Sequence, residues 1–450
     1  MNSYKKYYKK VICFLFIFLF LFIASLFIYK YYNSKDDYIN INSLSKKFIN
    51  TYLDNNQKIT EESKENILII TTKEKNLEKY GASNIIEAPN NQYYLQYENR
   101  YDKEKALNKL KNDNVIVSEN IVHTIDEDTV LVSSYNSWGV EAMGMDTLRE
   151  KLQNKELNDV VVTIIDTGLN VDLFNENYPN RLAGMYSIVA SDKAMVDEVG
   201  HGTHIAGTIA ESTPDNVKIF PVKVSTTKNI YETDIVAAIN YVTHNRVANV
   251  MNMSFGSYAY STNEYNAIEA ARKNNIISVA AAGNDNVSRL DYPASFDNTI
   301  SVASLTSTFE KSDFSNFGDS IMFSAPGSDI VSINGTMSGT SMATPHVVSA
   351  VSYLQAMNNN LSYEDIILLL RRYSDDLGDI GWDEIFGYGF INFKEANVCD
   401  NADCDEFNVF KKSLRDDVNS DAIVESYEIT PVLTKYNYGT INNILNTKVT

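Results

Sequence analysis

The sequence predicts a mixed α/β protein whose main domain is a parallel β-sheet flanked by helices. Two observations predict this class: several strand-like runs are apolar throughout, and segments of helical length separate them. The apolar fraction, 44% of 450 residues, is ample for a sizeable core. With 22% charged and 11% aromatic residues, the composition excludes a disordered chain.

The elements of the main domain lie between Trp138 and Ala396. Its strand-like runs are residues 160–166, 218–224, 247–254, 276–283 and 299–305. Helices are predicted over residues 232–245 and 263–274, and a long helix is predicted from about Ser341 onwards. Because the strands are apolar on both faces, helices must cover both faces of the sheet.

The N-terminus predicts export. Residues 11–28 form an apolar run of 18 residues, which as a helix covers roughly 27 Å of a bilayer core of about 30 Å. Four lysines precede the run and two aspartates follow it, so the remainder of the chain is expected outside the membrane. We expect a transmembrane signal anchor over residues 1–32. A cleaved signal peptide is the alternative, although no small-x-small site follows Ile28.

Residues 33–130 are predicted to form a polar spacer followed by a small α+β unit. Strand-like runs at residues 67–72 and 92–98 are followed by a helical stretch and a further strand-like run. This unit contains no acid/base or nucleophile constellation, which indicates a structural role. Residues 398–450 are predicted to be a C-terminal tail, since they show no clear periodicity.

Charge and cysteine content exclude two classes of partner. The net charge is −19, and no block of basic residues follows the first ten positions, which excludes nucleic acid as the main partner. No His/Cys cluster has zinc-ligand spacing, so a thiolate metal site is not expected. Cys399 and Cys404 form a disulfide if the chain is exported, or remain two free thiols; the sequence leaves both open.

Three short segments carry the chemistry. Asp166 ends a buried strand, His201 opens a helix within His-Gly-Thr-His, and Ser341 lies in Gly-Thr-Ser-Met-Ala. Open α/β sheets place their sites at the carboxyl ends of strands and the starts of helices. A serine hydroxyl becomes a nucleophile only beside a base, which a histidine supplies. An aspartate then fixes the tautomer of the imidazole.

In the order Asp, His, Ser, these segments resemble the subtilisin-like serine proteases of the subtilase family. The resemblance covers roughly residues 138–396, and the preceding unit resembles the propeptide of the family. It implies a subtilisin-like catalytic domain over residues 131–397 and a propeptide that acts as an intramolecular inhibitor. It also implies Asp166, His201 and Ser341 as the triad, and Asn284 with the Ser341 N–H as oxyanion donors.

The resemblance further implies the substrate-binding residues. Ser254, Phe255 and Gly256 would pair with the residues before the scissile bond, and residues 228–230 would form the opposite edge. Gly283 would form a wall of the pocket for the side chain before the cut.

Asp291 falls by similarity at the bottom of that pocket, with Asp285 on its rim, which predicts a preference for Lys or Arg before the cut. The alternative is that both are solvated loop carboxylates. Between Lys111 and Arg149 there is no basic residue, although the propeptide junction should lie near residues 125–135. Self-cleavage must therefore use a non-basic site, or another protease makes the cut.

The other histidines and the cofactors are predicted as follows. His204 and His346 are expected to be packed core residues, and no motif supports His123 or His244. The family commonly carries a calcium loop after the histidine helix, but that insertion is missing here. We therefore expect no strong calcium site of that kind and no cofactor, with weaker calcium sites left open.

The leading functional prediction is a secreted or membrane-tethered serine endopeptidase, made as a zymogen, that acts on peptides or proteins. The anchor and the basic specificity resemble proteases that remove leader peptides from secreted peptides such as lantibiotics. A broad-specificity nutritional protease is a second enzyme hypothesis. A catalytically silent scaffold is the alternative from another class, and the presence of Asp166, His201, Ser341 and Asn284 argues against it.

Overall fold

A computed structural model describes residues 61–89, 91–125, 128–130, 137–189 and 195–394. The predictions for residues 1–32, for Cys399 and Cys404 and for the tail fall outside the described residues. The described chain divides into two compact units, residues 67–118 and residues 61–66 with 119–394. Within the described ranges, no helix combines the length and the apolar character that crossing a bilayer requires.

The smaller unit is a four-stranded sheet with one long helix. A helical turn of the larger unit, α1 (Glu61–Lys64), precedes it in the chain. The unit contains the following elements: β1 (Ile67–Thr71), a 3₁₀ turn (Glu78–Tyr80), β2 (Asn84–Ala88), β3 (Gln92–Gln96), α2 (Arg100–Asn112) and β4 (Ile116–Glu119). The strand order is β2-β3-β1-β4, and apolar side chains such as Leu68, Leu95 and Leu110 form the core. The unit is α+β, as its sequence pattern predicts.

The larger unit is built on a nine-stranded sheet. Its strands, with those of two small sheets, are β5 (Val122–Thr124), β6 (Asp128–Val130), β7 (Val160–Asp166), β8 (Tyr186–Ser187), β9 (Val217–Lys223), β10 (Asn229–Tyr231), β11 (Val250–Met253), β12 (Ile277–Ala281), β13 (Ile300–Leu305), β14 (Phe323–Pro326), β15 (Ile330–Ser332), β16 (Gly335–Ser338), β17 (Ser374–Asp375) and β18 (Phe390–Ile391). The strand order of the large sheet is β17-β18-β14-β13-β12-β11-β7-β9-β8. All neighbours in this sheet run parallel except β17 and β18. The predicted parallel sheet is therefore confirmed.

Helices flank this sheet as the apolar strands require. They are α3 (Trp138–Ala142), α4 (Met145–Leu152), α5 (Val171–Asn177), α6 (His201–Ser212), α7 (Glu232–Asn245), α8 (Thr262–Lys273), α9 (Thr340–Met357) and α10 (Tyr363–Arg372). Every residue of β11 to β14 is buried, and α9 is buried from Thr340 to Ala356. Strands that are buried on both faces have no solvent side to mark with polar residues, so their sequences are mostly apolar, with a few buried polar residues such as Asn252 and Ser301.

A buried arginine holds the turn after α6 in place. Arg181 is 3% exposed, and its guanidinium donates to the carbonyl oxygens of Val217 (2.7 Å), Ala210 (3.1 Å) and Thr213 (3.3 Å). It also donates to Thr213 Oγ1 at 2.7 Å, and the exposed Asp215 carboxylate lies 3.5 Å away. Three backbone carbonyls thus accept hydrogen bonds from one buried cation, at the point where the chain leaves α6.

Replacement of Arg181 by Ala is expected to lower the free energy of unfolding by about 3–5 kcal/mol, because buried carbonyls lose their donors. Denaturant unfolding in a Ser341→Ala background, where self-digestion is avoided, measures the change. Lys155→Ala, which removes an exposed cation from the nearby surface, is the control and should change stability by less than about 0.5 kcal/mol. An unchanged unfolding midpoint for Arg181→Ala would show that the cation is dispensable.

Candidate active site

The end of β7 and the start of α6 bring a carboxylate to an imidazole. Asp166 is the last residue of β7, and its oxygens lie 2.9 and 3.0 Å from Nδ1 of His201, the first residue of α6. Both side chains are at most 1% exposed. Because Nδ1–H donates to the carboxylate, Nε2 is the basic nitrogen of this imidazole. Glycine is required at position 202, since a Cβ there would collide with the Gly168 carbonyl oxygen.

A second carboxylate, which sequence reasoning missed, joins these two elements. Asp197 Oδ1 accepts hydrogen bonds from Thr167 Oγ1 (2.7 Å) and Gly200 N (2.8 Å). Its Oδ2 accepts from the backbone N–H (2.8 Å) and the hydroxyl (2.7 Å) of Thr203. Thr167 Oγ1 in turn accepts from Gly202 N at 3.2 Å. Asp197 therefore ties the end of β7 to the first turn of α6, and its position four residues before the histidine was the available signal.

Ser341 is the second residue of α9 and lines the cleft. Its hydroxyl donates to the carbonyl of Ser254 at 3.1 Å, and Ser254 Oγ donates to the carbonyl of Ser341 at 3.0 Å. These reciprocal bonds join the candidate nucleophile to the predicted substrate-binding segment. In this arrangement the hydroxyl hydrogen points at Ser254, so it must turn away from that carbonyl before a base can take it.

The orientation of Asn284 is set by the residue before the serine. Asn284 Oδ1 accepts from the N–H (2.8 Å) and the hydroxyl (2.9 Å) of Thr340. The Thr340 hydroxyl also accepts from Gly283 N at 3.1 Å, which holds the loop against the start of α9. Because Oδ1 receives both hydrogens from Thr340, the amide is oriented with its oxygen towards that residue, at the edge of the cleft that Asn284 and Ser341 both line.

A cavity of about 240 Å³ opens beside Ser341. Asp291 lies in its wall between Gly256 and Gly283, where a Cβ on either glycine would collide with the carboxylate oxygens. Asp291 is 7% exposed, and its Oδ1 has no hydrogen-bond partner among the described residues. Asp291 is thus not a solvated loop carboxylate. Asp285 is exposed at the rim and accepts a hydrogen bond from a tyrosine hydroxyl.

Burial raises the pKa of Asp291 to about 7. His123 nearby opposes this shift, and the negative charge of Asp285 adds to it. A carboxylate with this pKa titrates near neutrality, so the charge of the cavity depends on pH in that range. A cationic side chain in the cavity would hold Asp291 in its ionised form.

The segment before this cleft already occupies it as a strand. Thr124 pairs with Gly256 through two backbone hydrogen bonds of 2.9 and 3.2 Å, and Ile125 N donates to the Lys228 carbonyl at 3.0 Å. On the same side β5 pairs antiparallel with β10. The two edges predicted to hold a substrate, residues 228–230 and 254–256, therefore hold residues 122–125 of the chain itself.

The same segment leaves the cleft on the other side of the serine. Strand β6 pairs antiparallel with β16, with Asp128 opposite Ser338, three residues before Ser341. Residues 126–127, between these two pairings, lie outside the described residues. The described backbone on either side of this gap thus flanks the start of α9.

His204 and His346 are core residues, as predicted. His204 Nε2 lies 3.0 Å from the Ile330 carbonyl and His346 Nδ1 lies 2.9 Å from the Met342 carbonyl, and both rings are fully buried. Burial lowers their pKa values to about 3 and about 4, so both are neutral at physiological pH. His123 proves different: it lies in the cleft, although no motif pointed to it.

A parallel α/β sheet with a buried Asp–His pair at its carboxyl edge, together with a serine at the start of a helix that packs against α6, defines one class of fold and site. A model of the subtilase family matches residues 158–389, slightly more than half of the sequence. The chain belongs to the subtilase family.

Known proteins support this assignment. The chain is 38% identical over 226 residues to alkaline protease 1 of Emericella nidulans, covering 46% of this chain and 55% of that protein. It is 32% identical over 260 residues to subtilisin DY of Bacillus licheniformis, covering 53% of this chain and 90% of that protein. The first curated relatives are matched over about half of their length or less.

A solved structure shares the fold. The crystal structure of a lanthipeptide protease superposes with a TM-score of 0.50 and 24% identity, covering 57% of this chain and 91% of that chain.

Proposed function

We propose that the chain is a serine endopeptidase that hydrolyses peptide bonds with Asp166, His201 and Ser341. The observation that carries this proposal is the buried Asp166–His201 hydrogen bond at the same sheet edge as Ser341 and its cavity. In the first step His201 Nε2 takes the proton of the Ser341 hydroxyl as Oγ attacks the carbonyl carbon. The imidazolium, stabilised by Asp166, then protonates the leaving amine, and water hydrolyses the acyl-enzyme in the same way.

The negative charge on the carbonyl oxygen would be met by donors of the chain itself. Asn284 Nδ2 is one donor, since Thr340 fixes the amide with its oxygen turned away. The backbone N–H of Ser341 is the other, and the N-terminus of the α9 dipole favours the same charge. Every group in this scheme belongs to the protein, so the proposal requires no cofactor.

We infer further that the chain is made as a zymogen and that maturation cuts between Ile125 and Asp128. Support comes from the pairings on each side of that interval, with Gly256 before it and with Ser338 after it. As long as this segment fills the cleft, a substrate strand has no edge to pair with. The residues of the interval in the sequence are Asp126 and Glu127, so the cut would fall at an acidic site.

The full-length chain tests this. Intact mass spectrometry of the purified protein is expected to show an N-terminus at residue 126, 127 or 128, whereas Ser341→Ala keeps the bond intact. Cleavage of Ser341→Ala at the same position would show that another protease makes the cut. A wild-type N-terminus elsewhere would contradict the proposed site. The mass of the uncut Ser341→Ala precursor reports whether residues 1–32 remain, and thus whether the apolar run at residues 11–28 is an uncleaved membrane anchor.

For the natural substrate we propose an exported peptide that carries a basic residue before the cut, such as the leader of a lantibiotic. The buried Asp291 in the cavity wall supports the basic residue, and the apolar run at residues 11–28 supports export. The likeness to the solved lanthipeptide protease supports the fold alone. A broad nutritional protease is the alternative, and digestion of a peptide mixture distinguishes the two. A nutritional protease would cut the mixture after many kinds of residue, whereas the proposed enzyme would cut it after basic residues.

A further inference from the structure

A histidine of the strand in the cleft enters a pocket of its own. Along residues 122–125 the side chains alternate, so that Val122 and Thr124 are exposed while His123 and Ile125 are buried. His123 is 0% exposed, and its Nε2 lies 3.2 Å from Glu264 Oε2. Its ring meets that of Phe255 edge to face, with 5.7 Å between the centroids.

The carboxylate of Glu264 contacts the side chain that fills this pocket. Glu264 is 0% exposed near the start of α8, and its backbone N–H is already capped by Ser261 Oγ at 3.1 Å. Its Oε1 has no hydrogen-bond partner among the described residues, and its Oε2 contacts His123. A buried carboxylate with one imidazole as its hydrogen-bonding contact indicates a site that expects a cation.

The neighbouring Glu232 has other partners. It accepts hydrogen bonds from Ser261 Oγ, from Asn263 Nδ2 at 3.1 Å and from Ile121 N at 3.4 Å. The negative charge of Glu232 still acts on His123, but its carboxylate is already hydrogen-bonded to these other groups. Selectivity in this pocket therefore rests on Glu264.

The charges around His123 favour a cation there. Burial by itself would lower the pKa of His123, but the charge and hydrogen bond of Glu264, with the charges of Glu232 and Asp291, outweigh it and raise the pKa above its usual value. The same charges repel an anionic side chain. A neutral apolar side chain would leave the Glu264 carboxylate buried without a counter-charge.

We propose that the pocket around Glu264 is a substrate subsite that selects a cationic side chain, and that Glu264 is the residue that determines this selectivity. The proposal rests on the proposed function, because a peptide substrate would take the strand position that residues 122–125 hold here. With the maturation bond after Asp126, His123 is the fourth residue before the cut. The enzyme would then recognise two basic residues, one through Asp291 and one through Glu264.

Peptide kinetics test this inference. The full-length chain is expressed, and its active form is assayed on peptides that share one cleavage residue and carry Lys, Met or Glu at the fourth position before it. The Lys peptide is expected to exceed the Met peptide in kcat/KM by roughly 10–100-fold, the value of a buried hydrogen bond between charged groups, with the Glu peptide cut most slowly. In Glu264→Gln the Lys and Met peptides should come within about threefold of each other.

Controls keep the outcomes distinct. The exposed Glu150→Gln should leave the wild-type preference unchanged. Glu264→Gln should cut the Met peptide faster than the wild type does, because it removes the buried charge that a neutral side chain leaves without a partner. If Glu264→Gln fails to fold, the wild-type peptide series alone decides. Cleavage of all three peptides at equal rates overturns the inference while the proposed function stands. No cleavage of any peptide by the active-site-intact protein overturns the proposed function instead.

Discussion

Ser341→Ala is expected to abolish peptide hydrolysis, with turnover reduced by roughly 10⁶-fold, the reference loss for this change in subtilisin rather than a value obtained from this structure. The physical reason is that the methyl group of alanine cannot form the acyl bond, so only binding and the oxyanion donors remain. A fluorogenic peptide assay at matched concentrations measures the loss.

Two further variants check the interpretation. His201→Ala should lose about as much, and the double variant little more, because nucleophile and base act as one unit. Ser307→Ala, at an exposed serine outside the cleft, should keep wild-type turnover. If Ser341→Ala retained the activity, the hydrolysis would come from another residue or a contaminant. If the wild type hydrolysed nothing after loss of its prosegment, the silent-scaffold alternative would be favoured.

Asp291→Asn is expected to lower kcat/KM for a peptide with Lys before the cut by roughly 10²–10³-fold, since a desolvated charge pair loses one partner. A peptide with Leu at that position should lose little or even gain. The exposed Asp285→Asn is the matched control and should change the Lys peptide only a few-fold, because solvent screens its charge. A cleavage profile of the wild type without enrichment of Lys or Arg would contradict the role of Asp291.

The preference for Lys should also depend on pH. Burial raises the pKa of Asp291 to about 7, so the group is a neutral acid below that pH and a carboxylate above it. The ratio of kcat/KM for Lys over Leu is therefore expected to rise as pH increases through about 7 and to fall as pH decreases. Asp291→Asn should make the ratio independent of pH over this range. A ratio that is flat in the wild type would show that Asp291 does not face the substrate.

The main elements could be predicted because buried parallel strands and amphipathic helices leave strong patterns. The strand at residues 160–166 and the helix at residues 232–245 have the predicted bounds. The run at residues 247–254 was predicted too long, since β11 covers only Val250–Met253. The backbone of Asn249 still pairs with Val161 and Ile277, but Val161 N donates to Asn249 Oδ1 instead of to a backbone carbonyl. The hydrophobic periodicity of a sequence does not show where a side-chain oxygen replaces a backbone acceptor.

The residues around the triad positions were less accessible from sequence. Arg181 donates to backbone carbonyls 29 to 36 positions further along the chain, and Asp197 accepts from Thr167 Oγ1, 30 positions before it; no local pattern encodes these contacts. His123 had no supporting motif because its partner, Glu264, is 141 positions away. The pairing of residues 122–125 with both edges of the cleft likewise joins segments that are far apart in the sequence, so no local pattern predicts it.

The position of the strand pairings around residues 126–127 has a consequence for where the protein acts. This stretch of backbone is the covalent connection between residues 122–125 and Ser341, and the same residues are also held by non-covalent contacts such as the β5–β10 pairing. If residues 11–28 tether the precursor, hydrolysis of one bond in this interval would break the covalent link between that tether and Ser341. The onset of proteolysis and the shedding of the protease would then be a single event, timed by how quickly the severed strand dissociates.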